Sequence, residues 1–415
     1  TRMGAEPRLV VVGASLAGLR AVEAARRGGY TGAITLLGAE THAPYDRPPL
    51  SKTFLTSVES PTPTVLREEA MLRDELGIDL RLGTTATGLD IDGRAVLTAD
   101  GPIGYTALVI ATGATPRTLP GSEHLEGVHV LRTLDDARHI RDAMDAGART
   151  VVVGAGFIGS EIAASARARG LEVTVVEAMP TPLARPVGEE MGKVLASLHE
   201  RHGTTLRVGV GVDSLEGDDH VRAVRLADGT TIDAELVVVG IGVAPNTGWL
   251  DGSGLTIGDG IECDEFLGAG PEGVYAAGDI VSWLNPTFGT RMRLEHWTIA
   301  AEQGGHAGRN AADPSAATPF ETVPYFWSDW YGKRIQFVGI AADAEEIATV
   351  AGDLDGDTFV TLYRRGDRLI GALALEQRSQ IMKYRGMLAA GGSWDDAIAF
   401  AKARAARANG TSAPL

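Results

Sequence analysis

The chain contains a single cysteine, Cys263, among its 415 residues. One thiol cannot form an intrachain disulfide, a paired-cysteine zinc site or a cysteine-ligated iron–sulfur cluster within one copy of the chain. The same shortage excludes redox chemistry that passes electrons through a pair of neighbouring cysteines. The residues around Cys263 are typical of an ordinary strand, so we expect no catalytic role for this thiol.

Long apolar runs and an excess of basic residues are also missing. Hydrophobic residues make up 44% of the chain, but no run of them approaches the ~20 residues of a membrane-spanning helix. The 38 Lys and Arg face 54 Asp and Glu, and the resulting charge of −16 disfavours nonspecific binding to nucleic acids or anionic membranes. No basic-then-apolar signal sequence opens the chain. We therefore expect a cytoplasmic protein of two or three domains, without a nucleic-acid or membrane partner, and the oligomeric state stays open.

Glycine is abundant, with 53 residues, and two glycine-rich segments match dinucleotide-binding loops. The first loop, Gly13 to Gly18, follows the apolar run Leu9–Val12 and precedes Leu16–Arg27, which favours helix. Gly13 permits a tight turn, Gly18 lets the helix pack closely on the strand, and free N–H groups at the helix start attract a pyrophosphate. Ser15 replaces the usual middle glycine and is small enough for a phosphate to approach. A turn without a ligand is the alternative.

An acidic residue follows the next predicted strand of this unit. The strand is Ala33–Leu37, and Glu40 lies just beyond it, where a carboxylate can accept hydrogen bonds from ribose hydroxyls. The spacing from Gly13 is slightly long for the usual pattern. A solvated charge at the end of a strand is therefore the alternative for Glu40.

The second loop, Gly154 to Gly159, keeps all three glycines of the pattern. It follows the apolar run Val151–Val153 and precedes a predicted helix over Ile158–Arg169. The next predicted strand is Leu171–Val176, and it ends at Glu177. A carboxylate at this position binds the ribose 2′-hydroxyl and repels a 2′-phosphate, so we expect NADH.

Arg185 keeps NADPH open as the alternative, because a nearby arginine can accept the 2′-phosphate.

Three further apolar runs end in glycine. These are Leu108–Gly113, Leu236–Gly242 and the run from Val274 to Gly278, which is followed by Asp279. Glycine at a strand end lets the backbone lie against a flat ring or a phosphate, and a simple crossover between domains is the other interpretation. Asp279 offers an acceptor for sugar hydroxyls, or alternatively an N-cap for a helix over Ile280–Trp283.

The order of these motifs resembles one enzyme family over nearly the whole chain. The segments that carry the resemblance are Pro44 to Lys52, Ala111 to Arg117, the Gly154 loop, Gly240 to Asn246 and Gly273 to Asp279. Together they resemble FAD-dependent NAD(P)H:ferredoxin reductases of the putidaredoxin reductase type, which have a glutathione-reductase-like fold without the redox disulfide.

The resemblance implies an α/β fold with two Rossmann-like dinucleotide-binding domains, for FAD and NAD, plus a smaller α+β C-terminal domain. We expect the FAD domain at 1–114 and 246–322, the NAD domain at 115–245 and the C-terminal domain at 323–415.

The loops and the resemblance together predict the residues that hold the two nucleotides. Those for FAD are Gly13, Ser15, Leu16, Ala17, Gly18, Glu40, Arg47, Lys52, Ala111, Thr112, Gly113, Arg132, Gly278, Asp279, Glu295, His296, Trp297 and Trp327. Those for NAD are Gly154, Gly156, Phe157, Ile158, Gly159, Glu161, Glu177, Arg185, Gly240, Ile241 and Gly242.

Lys52 and Glu161 are the residues that the resemblance assigns to flavin chemistry. The lysine would stabilise negative charge on reduced flavin, and the glutamate would hold the lysine in place. An ion pair without electronic consequence is the alternative. Pro48 and Pro49 precede Lys52, and we expect them to hold the chain extended.

Aromatic side chains near the flavin are a further implication. Trp297 and Trp327 are candidates to border its ring, although a tryptophan is as often a core residue. His296 is either a structural histidine or a proton carrier. Trp330 stands where the family often has a polar residue, which puts partner contacts there in doubt. Arg132 matches an arginine near the FAD pyrophosphate, and a surface ion pair is the alternative.

The last part of the chain predicts a small sheet with helices and no cofactor loop. Strands are expected at Ile335–Val338, Thr358–Tyr363 and Leu369–Leu375, followed by helices over Gln377–Ala390 and Trp394–Ala406. An acidic ferredoxin would need a local basic patch on this acidic chain. Candidates for the patch are Arg291, Arg293, Lys333, Arg334, Arg378, Lys383 and Arg385.

The implied function is transfer of electrons from NADH through FAD to a ferredoxin, with a [2Fe–2S] or related small iron–sulfur protein as partner, in support of a cytochrome P450 or a ring-hydroxylating oxygenase. Rubredoxin reductase and monodehydroascorbate reductase are alternatives on the same scaffold. An NADH-sensing flavoprotein similar to apoptosis-inducing factor is an alternative without turnover. We expect no metal site.

Overall fold

The computed structural model describes residues 6–408 and 410, which form two compact units. Of the described residues, the first unit comprises 6–46, Pro63–Thr115 and Val243–Thr322, and the second comprises Arg47–Thr62, Pro116–Gly242, 323–408 and 410. The extreme ends of the expected domains, 1–5, 409 and 411–415, lie outside the described residues. The division into three domains stays a prediction, and the short segment Arg47–Thr62 belongs to the second unit.

The strands and helices have the following bounds. The strands are β1 (Arg8–Val12), β2 (Ala33–Gly38), β3 (Ile78–Leu82), β4 (Ala86–Asp90), β5 (Ala95–Thr98), β6 (Gly101–Gly104), β7 (Ala107–Ile110), β8 (Ala114–Pro116), β9 (Val128–His129), β10 (Thr150–Val153), β11 (Val173–Glu177), β12 (Thr205–Val208), β13 (Val212–Gly217), β14 (Val221–Leu226), β15 (Thr231–Asp233), β16 (Leu236–Val239), β17 (Val243–Pro245), β18 (Ile257–Gly258), β19 (Gly260–Cys263), β20 (Val274–Ala276), β21 (Val281–Asn285), β22 (Thr290–Met292), β23 (Tyr325–Trp330), β24 (Lys333–Gly339), β25 (Glu346–Gly352), β26 (Phe359–Arg365) and β27 (Arg368–Leu375). The α-helices are α1 (Leu16–Arg27), α2 (Thr53–Thr56), α3 (Leu134–Asp145), α4 (Phe157–Ala168), α5 (Ala184–Val187), α6 (Glu189–Arg201), α7 (Trp297–Ala312), α8 (Arg378–Ala389) and α9 (Trp394–Ala408). Pro48–Ser51, Gly248–Leu250 and Pro314–Ala316 form 3₁₀ turns, and Met71–Glu75 forms a π turn.

A five-stranded parallel sheet forms the centre of the first unit, in the order β20, β7, β1, β2, β3. The inner strand β7 is an apolar run that is buried throughout, and β1 is buried from its second residue onward, as parallel strands covered on both faces are. The edge strand β3 carries polar residues and is partly exposed. The antiparallel sheet β4–β5–β6 and the mixed sheet β18–β19–β21–β22 belong to the same unit. Cys263 ends β19 and is buried, which raises the pKa of its thiol to about 12. The expectation of an ordinary strand residue is confirmed.

The second unit repeats the parallel arrangement, with strand order β12, β11, β10, β16, β9. A small antiparallel sheet, β13–β14–β15, packs its apolar residues with those of β10 and β16 in one core. The predicted helix α1 has the expected bounds, and α4 begins one residue before the expected Ile158. Both Rossmann-like units are therefore present, as the α/β fold class requires.

The last segment forms an antiparallel sheet in the order β23, β24, β27, β26, β25, with α8 and α9 after it. The expected strands at β24, β26 and β27 and both helices are confirmed. Two strands were missed. β23 alternates half-buried and buried residues within an aromatic run, and β25 is an edge strand without a fully buried residue.

Candidate functional site

The Gly13 loop connects β1 to α1 at the carboxyl edge of the first parallel sheet. Gly13 adopts a φ of +112°, and its N–H donates to the Leu37 carbonyl at 2.8 Å. Ser15 is the N-cap of α1, with extended backbone. The second half of the loop is therefore the first turn of α1, and the backbone N–H groups of Leu16 and Ala17 lie at the start of this helix. This geometry provides the anion-attracting helix start that the sequence predicts.

Glu40 lies beyond the end of β2, which pairs in parallel with β1. Its carboxylate accepts a hydrogen bond from the Tyr45 hydroxyl at 2.5 Å. Tyr45 is 5% exposed, so its hydroxyl is held in place by packing. Tyr45 lies within the motif Pro44 to Lys52, but nothing in the sequence signals this contact. Glu40 is thus positioned by a second segment rather than left as a free strand-end charge.

The carboxyl ends of β7 and β20 bring two more predicted segments to the same sheet edge. Ala111, Thr112 and Gly113 follow β7, and Gly278 and Asp279 follow β20. β7 pairs in parallel with β1, and β20 pairs in parallel with β7, so both segments lie at the same sheet edge as the Gly13 loop. The N-cap alternative for Asp279 is wrong, since the residues after it form strand β21 rather than a helix.

Two amide side chains that the sequence did not single out hold this edge together. Asn246 donates from its side-chain Nδ2 to the Thr112 backbone carbonyl at 2.8 Å, and the backbone carbonyl of Asn246 accepts from the Thr112 hydroxyl at 3.2 Å. Gln303, on α7, accepts from the Gly278 N–H at 3.0 Å. No hydrogen-bond partner for Gln303 Nε2 occurs among the described residues, although Gln303 is 1% exposed.

A buried, unpaired amide donor is costly, and an oxygen-rich ligand would satisfy it. The donors at this edge therefore fit a dinucleotide such as FAD. A lone glutamine in a helix gives no sequence signal of this kind, so it could not be foreseen.

Residues at the start of α7 carry the next predicted contacts. Glu295 pairs with Arg293 at 2.7 Å. His296 is the N-cap residue of α7. Burial lowers the pKa of its imidazole to about 4, although the negative charge of Asp279 raises it in part. His296 is therefore uncharged at neutral pH. Trp297 is half-buried, and its indole donates to Asp46 Oδ1 at 2.7 Å.

The Gly154 loop repeats the plan in the second unit, between β10 and α4. Gly156 is the N-cap of α4, with an ordinary φ of −72°, and a Cβ added there would meet no atom within 4 Å. Neither backbone strain nor internal packing therefore requires glycine at this position. The open space next to the helix start fits close approach of a pyrophosphate. Phe157 and Ile158 follow, with Ile158 48% exposed.

Glu177 ends β11, next to the Gly154 loop. Its Oε2 accepts from the Ala155 N–H at 2.9 Å, and its Oε1 accepts from the Met179 N–H at 2.9 Å. A backbone N–H of the glycine-rich loop therefore holds the Glu177 carboxylate directly. On the other side of β10, Gly240, Ile241 and Gly242 follow β16.

Arg185 lies exposed on the short helix α5, and the part of the chain that the structure describes gives it neither a hydrogen bond nor an ion pair.

Lys52 and Glu161 form an ion pair in the second unit, with Nζ 2.9 Å from Oε2. Glu161 is 3% exposed and Lys52 is 20% exposed. Lys52 also donates to the Pro48 carbonyl at 3.2 Å. The structure thus joins the two residues that the resemblance paired, while their role in flavin chemistry stays a prediction.

The expectation of an extended chain at Pro48 and Pro49 is wrong. Pro48–Ser51 is a 3₁₀ turn, and Arg47 before it has helical backbone angles. Proline at the first position of a helical turn is well tolerated, because its fixed φ suits the turn and its missing N–H has no partner there in any case.

Four of the predicted flavin residues, Arg47, Lys52, Arg132 and Trp327, belong to the second unit together with the NAD residues. Arg47 donates to the Arg132 carbonyl at 2.6 Å. Trp327, on β23, is half-buried, with its ring centroid 6.2 Å from that of Tyr325. Trp330 on the same strand is 1% exposed, so it is a core residue and not a surface for a partner.

Five of the seven candidate basic residues form ion pairs or hydrogen bonds with other residues of the chain. Arg334 forms a double hydrogen bond with Asp329, Lys333 pairs with Asp357, and Arg293 pairs with Asp259 and Glu295. Arg291 and Arg385 donate to backbone carbonyls. Arg378 and Lys383, both exposed on α8, have no hydrogen bond or ion pair among the described residues.

Within residues 6–408 and 410 the structure has no helix both long and apolar enough to cross a membrane.

Comparisons with known proteins agree with this geometry. A family model described as pyridine nucleotide-disulphide oxidoreductase matches residues 7–304, and one described as reductase C-terminal matches residues 325–408. The chain is 36% identical over 384 residues to rhodocoxin reductase of Rhodococcus erythropolis, covering 92% of this chain and 89% of the relative. It is 36% identical over 354 residues to the ferredoxin–NAD(+) reductase component of the p-cumate 2,3-dioxygenase system of Pseudomonas putida, covering 85% of each chain. The crystal structure of the covalent putidaredoxin reductase–putidaredoxin complex matches with a TM-score of 0.87 at 30% identity, covering 93% of each chain.

Proposed function

Because this chain belongs to the pyridine nucleotide-disulphide oxidoreductase family, we propose that it is an NADH-dependent ferredoxin reductase that uses FAD. One observation carries the proposal: two dinucleotide loops, each with an acid at or just after the end of the following strand, occur in a chain with a single, buried cysteine. Without a redox disulfide, such a reductase passes electrons from the flavin directly to an external acceptor. Relatives that are named as ferredoxin reductases support the same conclusion.

The first unit holds FAD in this proposal. The Gly13 loop and the start of α1 bind the pyrophosphate, Glu40 binds a ribose, and Asp279 binds the ribityl chain. Gln303 and Asn246 join the predicted set, because they anchor the backbone of Gly278 and Thr112 at this edge. When bound, FAD accepts two electrons together and releases them one at a time.

The second unit binds NADH. Gly156 leaves room for the pyrophosphate at the start of α4, and Glu177 accepts the ribose hydroxyls and disfavours a 2′-phosphate. Lys52 supplies a positive charge that stabilises reduced flavin, and Glu161 holds that lysine. No side-chain acid or base is needed for hydride transfer between the two nucleotides.

The partner is an acidic iron–sulfur protein of the ferredoxin type, and we assign its docking to α8 and α9. Helix α8 carries Arg378, Lys383 and Arg385 and no acid. From residue 377 onward the sequence has six cations and only two acids, in a chain whose net charge is −16. Arg404 of α9 donates to Ser379 of α8 at 2.8 Å, so Arg404 lies beside the first turn of α8, which carries Arg378. A local positive surface of this kind attracts an acidic partner despite the negative total charge.

The compartment proposed for this electron transfer is the cytoplasm, and the downstream enzyme is a cytochrome P450 or a ring-hydroxylating oxygenase. Relatives named as components of oxygenase systems support this assignment.

The deciding experiment is to load the protein with FAD and to measure NADH- and NADPH-dependent reduction of [2Fe–2S] ferredoxins, a rubredoxin, monodehydroascorbate and ferricyanide. We expect ferredoxins to be reduced fastest, with NADH as donor. The double variant Arg378→Ala/Lys383→Ala should slow ferredoxin reduction about tenfold at low salt and weaken its salt dependence, without changing ferricyanide reduction.

Lys193→Ala/Arg222→Ala is the matched control, since it removes two exposed cations that are each paired within their own segment. Equal ferredoxin kinetics in the two double variants would contradict the docking assignment. Slow turnover of wild-type protein with every carrier would contradict the proposed function itself. An NADH-dependent change in oligomeric state would then favour the sensing alternative.

A further inference from the structure

The carboxylate of Glu161 receives four hydrogen bonds from the protein. Its Oε2 accepts from the Ser51 hydroxyl and from Lys52 Nζ, and its Oε1 accepts from the Ser328 hydroxyl at 2.6 Å and the Asp329 N–H at 3.4 Å. An ionised carboxylate offers about four acceptor sites, so the protein fills all of them. Glu161 therefore needs no water, and its orientation is determined by these donors.

The proton of Ser328 has only one direction available. Ser328 is fully buried on β23, and the Trp330 indole donates to its Oγ at 2.8 Å. An indole N–H can donate but not accept, and a serine hydroxyl has a single proton. That proton therefore points to Glu161, which makes Ser328 a fixed donor rather than a rotating one.

Trp330 is itself immobilised. It is 1% exposed, and its ring stacks on His199 with 5.3 Å between centroids. His199 contacts Ser160 and Tyr331 through its two ring nitrogens, at 3.0 and 2.6 Å. Burial lowers the pKa of His199 to about 4, so the ring beside Trp330 brings no second positive charge at neutral pH.

We propose that Ser328, oriented by Trp330, is a positioning residue for the Lys52–Glu161 pair. Without its hydroxyl, Glu161 Oε1 keeps only the long contact to the Asp329 N–H, and the carboxylate can turn away from Lys52. Lys52 Nζ has two acceptors among the described residues, Glu161 and the Pro48 carbonyl. Its third N–H is directed by those two contacts. Ser328 thus controls where the ammonium charge lies, and this inference rests on the proposed function.

The test measures the midpoint potential of bound FAD in the full-length protein, by slow reduction with xanthine and xanthine oxidase against a reference dye. This titration needs neither NADH nor ferredoxin. Ser328→Ala should lower the equilibrium constant for flavin reduction about tenfold, because one hydrogen bond to a charged group is lost. Tenfold is about 30 mV to more negative potential for a two-electron couple.

Two further variants separate positioning from loss of structure. Ser328→Thr restores a hydroxyl and should bring the equilibrium constant to within about twofold of wild type. Ser197→Ala is the matched control, since the Ser197 hydroxyl donates only to the Val194 carbonyl of its own helix, and it should leave the potential unchanged.

Trp330→Phe keeps an aromatic ring but removes the N–H that fixes the Ser328 proton. It should shift the midpoint potential in the same direction as Ser328→Ala, by about threefold in the equilibrium constant for flavin reduction.

If Ser328→Ala fails to fold, the Trp330→Phe variant decides the question. The proposal is overturned if the midpoint potential is unchanged in Ser328→Ala, or, should that variant not fold, if it is unchanged in Trp330→Phe. It is also overturned if Ser328→Thr shifts the potential as far as Ser328→Ala does. Failure of wild-type protein to reduce any ferredoxin overturns the proposed function instead, since the potentials are measured without a carrier.

Discussion

The two glycine-rich loops share a backbone plan but differ in how their acids are held. In the second unit, Glu177 bonds to the N–H of Ala155, inside the loop itself, and Gly156 leaves open space at the helix start. In the first unit, Ser15 fills that position, and Glu40 is held by Tyr45 from the following segment. The acid of the second site is therefore held by the backbone of its own glycine-rich loop, whereas that of the first is held by a side chain outside the loop. The first site also draws on Asn246 and Gln303 from later segments, which suits a cofactor that stays bound.

The largest effect expected from this comparison is that of Gly18→Ala. A Cβ at Gly18 would lie 1.7 Å from the Gly13 carbonyl oxygen, so α1 would have to move away from the end of β1. We expect a loss of about 3 kcal/mol of unfolding free energy, measured by thermal or denaturant unfolding of the FAD-free protein. Gly159→Ala, whose Cβ would lie 2.2 Å from the Gly154 carbonyl oxygen, should cost a similar amount in the other unit.

Gly156→Ala is the matched control within the second loop, because its Cβ would meet no protein atom within 4 Å. It should leave the unfolding free energy within about 0.5 kcal/mol of wild type. Its Kd for NADH should nevertheless rise, because the methyl group occupies the space proposed for the pyrophosphate. A stability loss equal to that of Gly18→Ala would show that Gly156 serves packing alone.

A smaller effect is expected from Glu177→Gln, which keeps the size of the side chain and removes its charge. The ratio of kcat/KM for NADPH to that for NADH should rise about tenfold, since the repulsion of a 2′-phosphate is lost. Ferricyanide reduction gives the rates without a protein partner. Arg185→Ala should change the same ratio in the opposite direction. An unchanged ratio in both variants would remove the basis for assigning NADH to this loop.

The smallest effect is expected from Tyr45→Phe, which removes the hydroxyl that holds Glu40. One neutral donor to a carboxylate should be worth about a fivefold change in FAD affinity, measured by fluorescence titration of the FAD-free protein. Tyr105→Phe is a suitable control, because the hydroxyl of this buried tyrosine has no partner among the described residues. If both variants bind FAD equally well, Glu40 does not depend on Tyr45.

Sequence patterns located the elements that carry the loops, because each is a short buried strand followed by glycine and a helix. They could not show Gln303 or Asn246, whose partners lie 25 and 134 residues away and leave no periodic signal. Local rules also misjudged Pro48 and Pro49, since proline suits an extended chain and the start of a helical turn equally well. The internal ion pairs of Lys333 and Arg334 depend on which acids the fold brings near them.

The alternation of chain segments between the two units has a consequence for biosynthesis. The first unit receives its last segment, Val243–Thr322, before Val323–Leu415 is made. The second unit needs that final segment, because Ser328 and Trp330 belong to it. On the ribosome the first unit can therefore complete its core while the second still waits for its closing sheet. Glu161 is translated well before Ser328 and Asp329, so its carboxylate acquires its full set of donors only after this later segment has been made.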